Sequence, residues 1–400
     1  APWMTWKKSL SSSRKKLRVN RLAKLKTVKA TKLLALILGS AFILSCLLLP
    51  QISQAATRRK AILLLMDGLS LRDLEAARAP QLKGLIKKGA LGLMNVRTAR
   101  GGKGLDRSSG YLTIGSGARA KASGSTKIDL SGLAFNAGEM QGEFSAGQVF
   151  YRQTGLKTAP ASVVHLGVAD ILRQNAELPY SILPGALGEA MKRAKLRVAI
   201  LGNADTKEEF HREVSLVGMD YQGKIQQGNV GPDLLEKDPL SPFGVRTNYV
   251  RLLSQAKDFL RSNDLLIVDL GDTARFNFHT SYSTDTILER QRQAAIKRAD
   301  AFIGKLLSDL DLRQTLFIVA TPSPSWVAQN QDIELTPIIA AGGGFQPGVL
   351  SSATTRWPGI VVNIDLAPTI LGFLGVEIPY TMPGRPLVSV PERSPFSSLH

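Results

Sequence analysis

Apolar and polar residues in this chain come in blocks rather than in single alternation. Residues 61–66 are six consecutive apolar positions, closed by Asp67 and Gly68. A run with no polar alternate suits a strand covered on both faces, as in a parallel sheet under helices. An amphipathic stretch, 71–79, follows at once, and 80–88 reads as a second short helix. Residues 89–96 (GALGLMNV) predict a strand, 97–110 a glycine-rich charged loop, and 111–120 the start of a helix packed closely through its glycines. Between 121 and about 180 the periodicity is weak and turn residues are frequent, which reads as an insertion on the rim with one helix at 161–177.

The remainder alternates helix with strand. Residues 185–195 predict a helix and 197–201 (RVAIL) a strand, while 213–243 looks like a hairpin and a proline-marked loop. In the helix 248–261, Tyr249, Leu252, Leu253, Ala256 and Leu260 share one face. It leads into a second buried strand, 264–269 (DLLIVD). A long helix over 284–310, strands at 316–320 and 337–341, and a helix at 366–374 opened by Asp365 as its cap complete the pattern. Such alternation predicts right-handed parallel crossovers, hence an α/β fold with a mainly parallel sheet sandwiched between helices.

Composition changes this picture at one end only. The 400 residues, 44% of them hydrophobic, suffice for one large domain, and no internal repeat is present. The formal net charge is +19, but residues 1–32 hold eleven lysines and arginines and no acid. The remaining +8 is spread over the rest without a basic stripe, so nucleic acid is not an expected partner. The basic segment abuts an uncharged apolar run, 33–49, and small residues at 53–55 offer a cleavage site. Residues 33–55 therefore read as a signal peptide or a membrane anchor. Both readings keep 1–32 as a cytoplasmic tail and make 56–390 an extracytoplasmic domain, followed by a short tail at 391–400. The domain is then held at the cell membrane through its N-terminal segment, or secreted if the signal is cleaved. Cys46, the only cysteine, lies inside the apolar run, so intramolecular disulfides and thiol chemistry are excluded from the domain.

In open α/β sheets, ligands bind outside the carboxyl ends of the strands. Asp67 and Asp269 each close a buried run there, although Asp67-Gly68 also suits a plain strand-to-helix turn. Further motifs follow in order: GYLTIGSGAR from Gly110, Val268-Asp269-Leu270-Gly271-Asp272, and Asn363-Ile364-Asp365-Leu366-Ala367-Pro368 ahead of Leu374-Gly375-Val376 and Pro379. This order resembles the alkaline phosphatase superfamily, which includes sulfatases, phosphoglycerate mutases and phosphopentomutases. The resemblance covers roughly residues 60–387. It implies an alkaline-phosphatase-like core, a site with two divalent metals held by Asp and His, and a Ser or Thr nucleophile.

Carried over residue by residue, the pattern is incomplete. Asp67 and Asp269 match metal ligands, but Asp272-Thr273 stands where Gly-His is expected. Thr321-Pro322-Ser323-Pro324 replaces an Asp-His pair, and Glu334-Leu335-Thr336 replaces the last histidine. The nucleophile position falls on Arg107, next to Ser108 and Ser109. The metal candidates are thus Asp67, Asp269, Asp272 and His279, which would suit Mg²⁺ or Mn²⁺ if all ligands are carboxylates, or Zn²⁺ with imidazole. Of the other histidines, His165 falls in a predicted helix, His211 in a solvated loop and His400 in the tail. Residues 101–104 (GGKG) hint at a phosphate loop. Arg97, Arg100, Lys103, Arg107 and Arg119 could hold a phosphate- or sulfate-bearing ligand without metal, or form a solvated face. Two function classes remain. One is a metal-dependent hydrolase or transferase of phosphate or sulfate esters, with Ser108 or Ser109 as nucleophile. The other is a pseudoenzyme that binds a ligand or a partner, with Asp67 accepting backbone N–H groups or pairing with Arg107.

Overall fold

The apolar run at residues 61–66 supplies a strand, β1 (Lys60–Leu65), and its alternate residues enter two different cores. Ala61, Leu63 and Leu65 join one apolar cluster, Ile62, Leu64 and Met66 the other. A computed structural model of the protein describes residues 58–99, 106–122, 130–279, 284–325, 328–329, 331 and 333–399, all within the compact unit Arg58–His400. The basic tail, the apolar run with Cys46, Arg100, residues 101–104 and His400 lie outside the described residues.

The main sheet has ten strands, numbered here in chain order. They are β1, β2 (Ala90–Asn95), β3 (Val198–Leu201), β4 (Gln227–Asn229), β5 (Leu265–Asp269), β6 (Thr315–Ala320), β7 (Leu335–Gly342), β8 (Gly348–Ser352), β9 (Ile360–Val362) and β10 (Leu387–Pro391). Across the sheet the order is β10-β8-β2-β7-β6-β1-β5-β3-β4, with β9 also paired to β2. The centre is parallel: Leu65 of β1 is in register with Asp269 on one side and Ala320 on the other. β7 runs antiparallel to both β6 and β2, so the strand expected at 337–341 is not a parallel one.

The α-helices among the described residues include α1 (Leu71–Ala76), α2 (Pro80–Lys88), α3 (Arg107–Ser116), α4 (Ala146–Thr154), α5 (Val168–Ala176), α6 (Ala186–Arg193), α7 (Val214–Gly218), α8 (Tyr249–Ser262), α9 (Asp272–Phe278), α10 (Asp285–Leu307), α11 (Leu366–Leu374) and α12 (Pro395–Leu399). One face of the sheet is covered by α3, α6, α7 and α11, the other by α1, α2, α8 and α10. Burial on both faces is what allows the central strands to be apolar throughout.

Four expectations are corrected. The helix 161–177 is a short strand, Val163–His165, followed by α5, because two adjacent valines extend between strand partners on both sides. The charged loop 97–110 ends early: Asp106 caps α3 by accepting from the Ser109 N–H at 3.3 Å, so helix begins at Arg107. The stretch 213–243 contains α7 and the edge strand β4 as well as a small hairpin. Asp365 makes no side-chain bond capping α11. Its carboxylate instead accepts from the Thr354 hydroxyl at 2.5 Å and from the Arg385 N–H at 2.9 Å, joining two loops.

Glycine brings α3 close to α7, as expected from its sequence. A Cβ on Gly115 would lie 2.6 Å from the Leu216 carbonyl oxygen and 2.7 Å from that of Val217. Gly84, inside α2, has nothing within 4 Å of the same position. Gly115→Val is expected to cost about 1–3 kcal/mol or more through overpacking against backbone. Gly84→Ala should instead add about 0.5–1 kcal/mol. Chemical denaturation of the two variants checks the contrast, and a neutral Gly115→Val would contradict the packing.

Candidate functional site

Parallel pairing sets two carboxylates side by side, since Asp269 ends β5 and Asp67 lies two residues beyond its register partner Leu65. Over these strand ends comes the first turn of α3, with Arg107 as its first residue. Glu213, immediately before α7, approaches from the same side, carried by the close α3–α7 contact. All three carboxylates meet one guanidinium. Arg107 Nε pairs with Asp67 Oδ2, Nη1 with Glu213 Oε2, and Nη2 with Asp269 Oδ2 at 3.0 Å. A rigid planar fork of donors suits such multiple pairing as no lysine could.

The remaining contacts orient the cluster. Tyr111, one turn along α3, donates its hydroxyl to Asp67 Oδ2 at 2.8 Å and accepts from Arg107 Nη2 at 3.0 Å. Asp67 Oδ1 accepts from both the N–H and the hydroxyl of Ser323, at 3.0 and 2.8 Å. The guanidinium carbon lies 4.8 Å from the Tyr111 ring centre and 5.7 Å from that of Phe278. His211 packs on Phe278 at 4.5 Å, with its Nδ1 4.0 Å from Glu213 Oε1.

Burial dominates the electrostatics. It pushes Glu213 up to about 7, against the pull of Arg107. Asp269 is likewise raised to about 7 by burial, opposed by Arg107 and reinforced by Asp67 and Glu213. For Arg107, burial alone would weaken the charge, but Glu213, Tyr111, Asp67 and Asp269 outweigh it and hold the guanidinium charged. Burial also drives the Tyr111 phenol well above its ordinary range, so it stays a neutral donor.

The other sequence candidates fall elsewhere. Asp272 turns to Arg275 at 2.9 Å, Arg298 at 2.9 Å and the Thr247 N–H at 2.8 Å. Burial would raise its carboxyl, but Arg275 and Arg298 outweigh that and lower it. Arg275, itself fully buried, reaches the carbonyl oxygens of Asn203 and Asp205 at 3.3 Å. His279 closes α9 and sits edge-on to Phe243 at 5.0 Å. The hydroxyl of Ser109 donates to Asp106 at 2.5 Å and accepts from the Ala122 N–H at 2.8 Å, so both its roles are taken. Ser108 is buried on the same turn. Arg97 is exposed and pairs with Glu334. His165 is a buried strand residue whose Nδ1 accepts from the Gly167 N–H at 3.2 Å. The tight Arg212–Asp205 pair beside the cluster, 2.9 Å, also binds Glu139 and the Ala134 carbonyl of the rim. Glu213, Tyr111 and Ser323 escape sequence reasoning. Tyr111 opens the predicted helix 111–120 four residues after Arg107, a spacing that becomes i+4 on one helix only once α3 begins at Arg107, and Ser323 lies in the segment 321–324 that the resemblance set at the site.

A divalent cation does not fit this arrangement. The centre of the three carboxylates is filled by the guanidinium, and Asp67 already accepts four bonds. Among the described residues, no group of three or more His, Cys, Asp or Glu side chains is arranged to hold a metal ion.

No family model and no curated protein matches this chain. Solved structures with a similar chain course include a protein of Pyrococcus horikoshii (15% identity, TM-score 0.46, 81% of this chain and 98% of that one). A protein in the alkaline phosphatase superfamily from Vibrio parahaemolyticus is similar at 15% identity and TM-score 0.47, over 82% of this chain and 69% of that one. The phosphonate monoester hydrolase of Silicibacter pomeroyi is similar at 13% identity and TM-score 0.43, over 82% and 75%. Likenesses at this level assign no chemistry to the chain.

The raised carboxyls give a testable pH dependence. Unfolded, Asp and Glu titrate near 4, whereas Asp269 and Glu213 are folded with values of about 7. The folded chain therefore holds more protons through this window, and by linkage its stability falls as pH rises across it. Denaturation midpoints measured between about pH 5 and 8 should decline with pH, and Asp269→Asn should make the decline shallower. A slope unaffected by Asp269→Asn would contradict this account.

Proposed function

We propose that this is an alkaline-phosphatase-like domain in which the Arg107 guanidinium takes the place of a divalent cation, leaving a binding module that does not cleave phosphate or sulfate esters. The observation that carries the reading is the simultaneous pairing of Arg107 with Asp67, Glu213 and Asp269. A guanidinium has no vacant orbital with which to coordinate an ester oxygen or a hydroxide as a metal Lewis acid does, and this one is committed to three carboxylates. The hydroxyl of Ser109 is also engaged on both sides, donating to the helix-capping Asp106 and accepting from the Ala122 N–H. The phosphate- or sulfate-bearing ligand expected from the sequence would have to be met by cations other than Arg107. The basic residues 1–32 and the apolar run after them support an exported domain tethered to the cell membrane. Among the described residues, no helix is long and apolar enough to cross a membrane.

Replacing the guanidinium tests the central claim. Arg107→Ala leaves three buried carboxylates uncompensated and should lose about 3–5 kcal/mol of stability. Millimolar Mn²⁺ should restore part of that loss, because a cation that binds only the folded state stabilises it. The wild-type protein should show no metal-dependent shift and no turnover of p-nitrophenyl phosphate or sulfate. Stoichiometric metal in the wild type, with ester cleavage lost on Asp67→Asn, would establish the hydrolase instead.

Topology is tested separately. A reporter fused after Leu387 should be active only outside the cytoplasm, and cytoplasmic activity would remove the tethering claim.

A further inference from the structure

The strands β1, β2, β3, β5 and β6 all begin at the end of the sheet opposite the Arg107 cluster. Of these, β1, β3, β5 and β6 pair in parallel, and β7 runs antiparallel between β6 and β2. The described chain enters the domain at this end through Arg58, which pairs with the buried Asp264 just before β5. The same carboxylate accepts from the Arg197 N–H at 2.8 Å, and beside it Arg59 donates to the Phe373 carbonyl at 3.0 Å. Entry point and strand starts therefore form one surface.

That surface is cationic. Arg59, Lys87, Lys88, Lys195 and Arg197 are all exposed on it. Among the described residues, none of the five makes an ion pair. The nearby Asp258, Asp309 and Asp311 are each engaged by a lysine or arginine of their own. Only Glu377 and Glu392 stand against the five cations without such a pair among the described residues. Lys87 and Lys88 close α2, where the helix dipole favours cations in any case. No such reason covers Lys195, in the turn from α6 into β3. It holds φ 58°, a left-handed conformation that glycine takes without steric cost, so the turn itself does not call for lysine.

We infer that this end of the domain docks on the anionic phospholipid headgroups of the membrane that holds the N-terminal segment. The inference rests on the tethered reading given above. Between the end of the apolar run at 49 and Arg58 lie only residues 50–57, which reach at most roughly 30 Å when fully extended. So short a connection keeps the cationic end at high effective concentration beside the headgroups. The attraction of Lys and Arg to an anionic surface is screened beyond about 10 Å. The surface that carries the entry point is therefore the one placed to use it. The Arg107 cluster, at the far end of the same strands, then faces away from the bilayer.

The test uses the full chain with Cys46→Ala, so that one introduced cysteine carries a fluorophore. Gln346→Cys labels the cationic end, between β7 and β8. Leu240→Cys labels the opposite end, where Leu240 is 84% exposed beside Gln291. Energy transfer to a headgroup-labelled lipid is measured in vesicles of phosphatidylcholine alone, and of equal parts phosphatidylcholine and phosphatidylglycerol. On the anionic vesicles, transfer from position 346 should exceed that from position 240 by at least about twofold. The excess should fall by about half or more on phosphatidylcholine alone, where no anionic surface attracts the cations. It should fall equally when Lys87→Gln, Lys88→Gln, Lys195→Gln and Arg197→Gln are combined, but not with Arg97→Gln and Lys207→Gln, which follow the opposite ends of β2 and β3. The lipid comparison needs no substitution among the cations, so it decides the matter even if the fourfold variant misfolds. Flotation of the same samples reads the tether by itself. A chain that floats with neither vesicle removes the tether and this inference together. A chain that floats with both overturns the docking alone if the two positions transfer equally, or if the excess ignores lipid charge.

Discussion

One guanidinium surrounded by carboxylates is the constraint on which the carboxyl end of this sheet depends. Asp67, Glu213 and Asp269 are each almost wholly buried, and none could be gathered there without a counter-charge. Arg107 supplies it from three of its nitrogens at once. Its partners belong to segments far apart in the chain, so a single side chain ties β1, β5, α3 and the start of α7 into one place. Ser323, on the loop after β6, is drawn in through Asp67. The close glycine contact between α3 and α7 brings together the two helix starts that carry Arg107 and Glu213.

The same device recurs nearby. Arg275 gathers Asp272, the Thr247 hydroxyl and two carbonyls, while Arg212 gathers Asp205, Glu139 and the Ala134 carbonyl. Both are among the largest fully buried side chains of the protein. The loops above the sheet are thus organised by planar cations that each answer several acceptors, rather than by apolar packing. Replacing such a residue leaves acceptors buried and unsatisfied, which costs more than the bonds themselves are worth.

The central strands were legible because burial on both faces forces an uninterrupted apolar run, and the aspartates that end two of them sit where such runs must stop. Helix α8 was legible for the opposite reason, a clean one-sided stripe. The segment 161–177 misled because three strand residues leave too short a pattern to compete with the helical periodicity behind them. Glu213 gave no signal at all: its role arises from α3–α7 packing, and no local spacing reports a partner more than a hundred residues away. Arg107 stood out in the sequence, as an arginine where a hydroxyl was expected. Its pairing with Asp67 was one of the readings the sequence offered, whereas Asp269 and Glu213 as further partners followed only from the fold.

A cation built into the chain has no dissociation constant. The carboxyl end of this sheet therefore keeps its counter-charge at any chelator concentration, and its assembly needs no supply of ions from the compartment in which the chain folds. The positive charge arrives with synthesis of the helix that bears it, and it is lost only if that helix comes away. What a bound ion would make a matter of equilibrium, Arg107 makes a matter of chain connectivity.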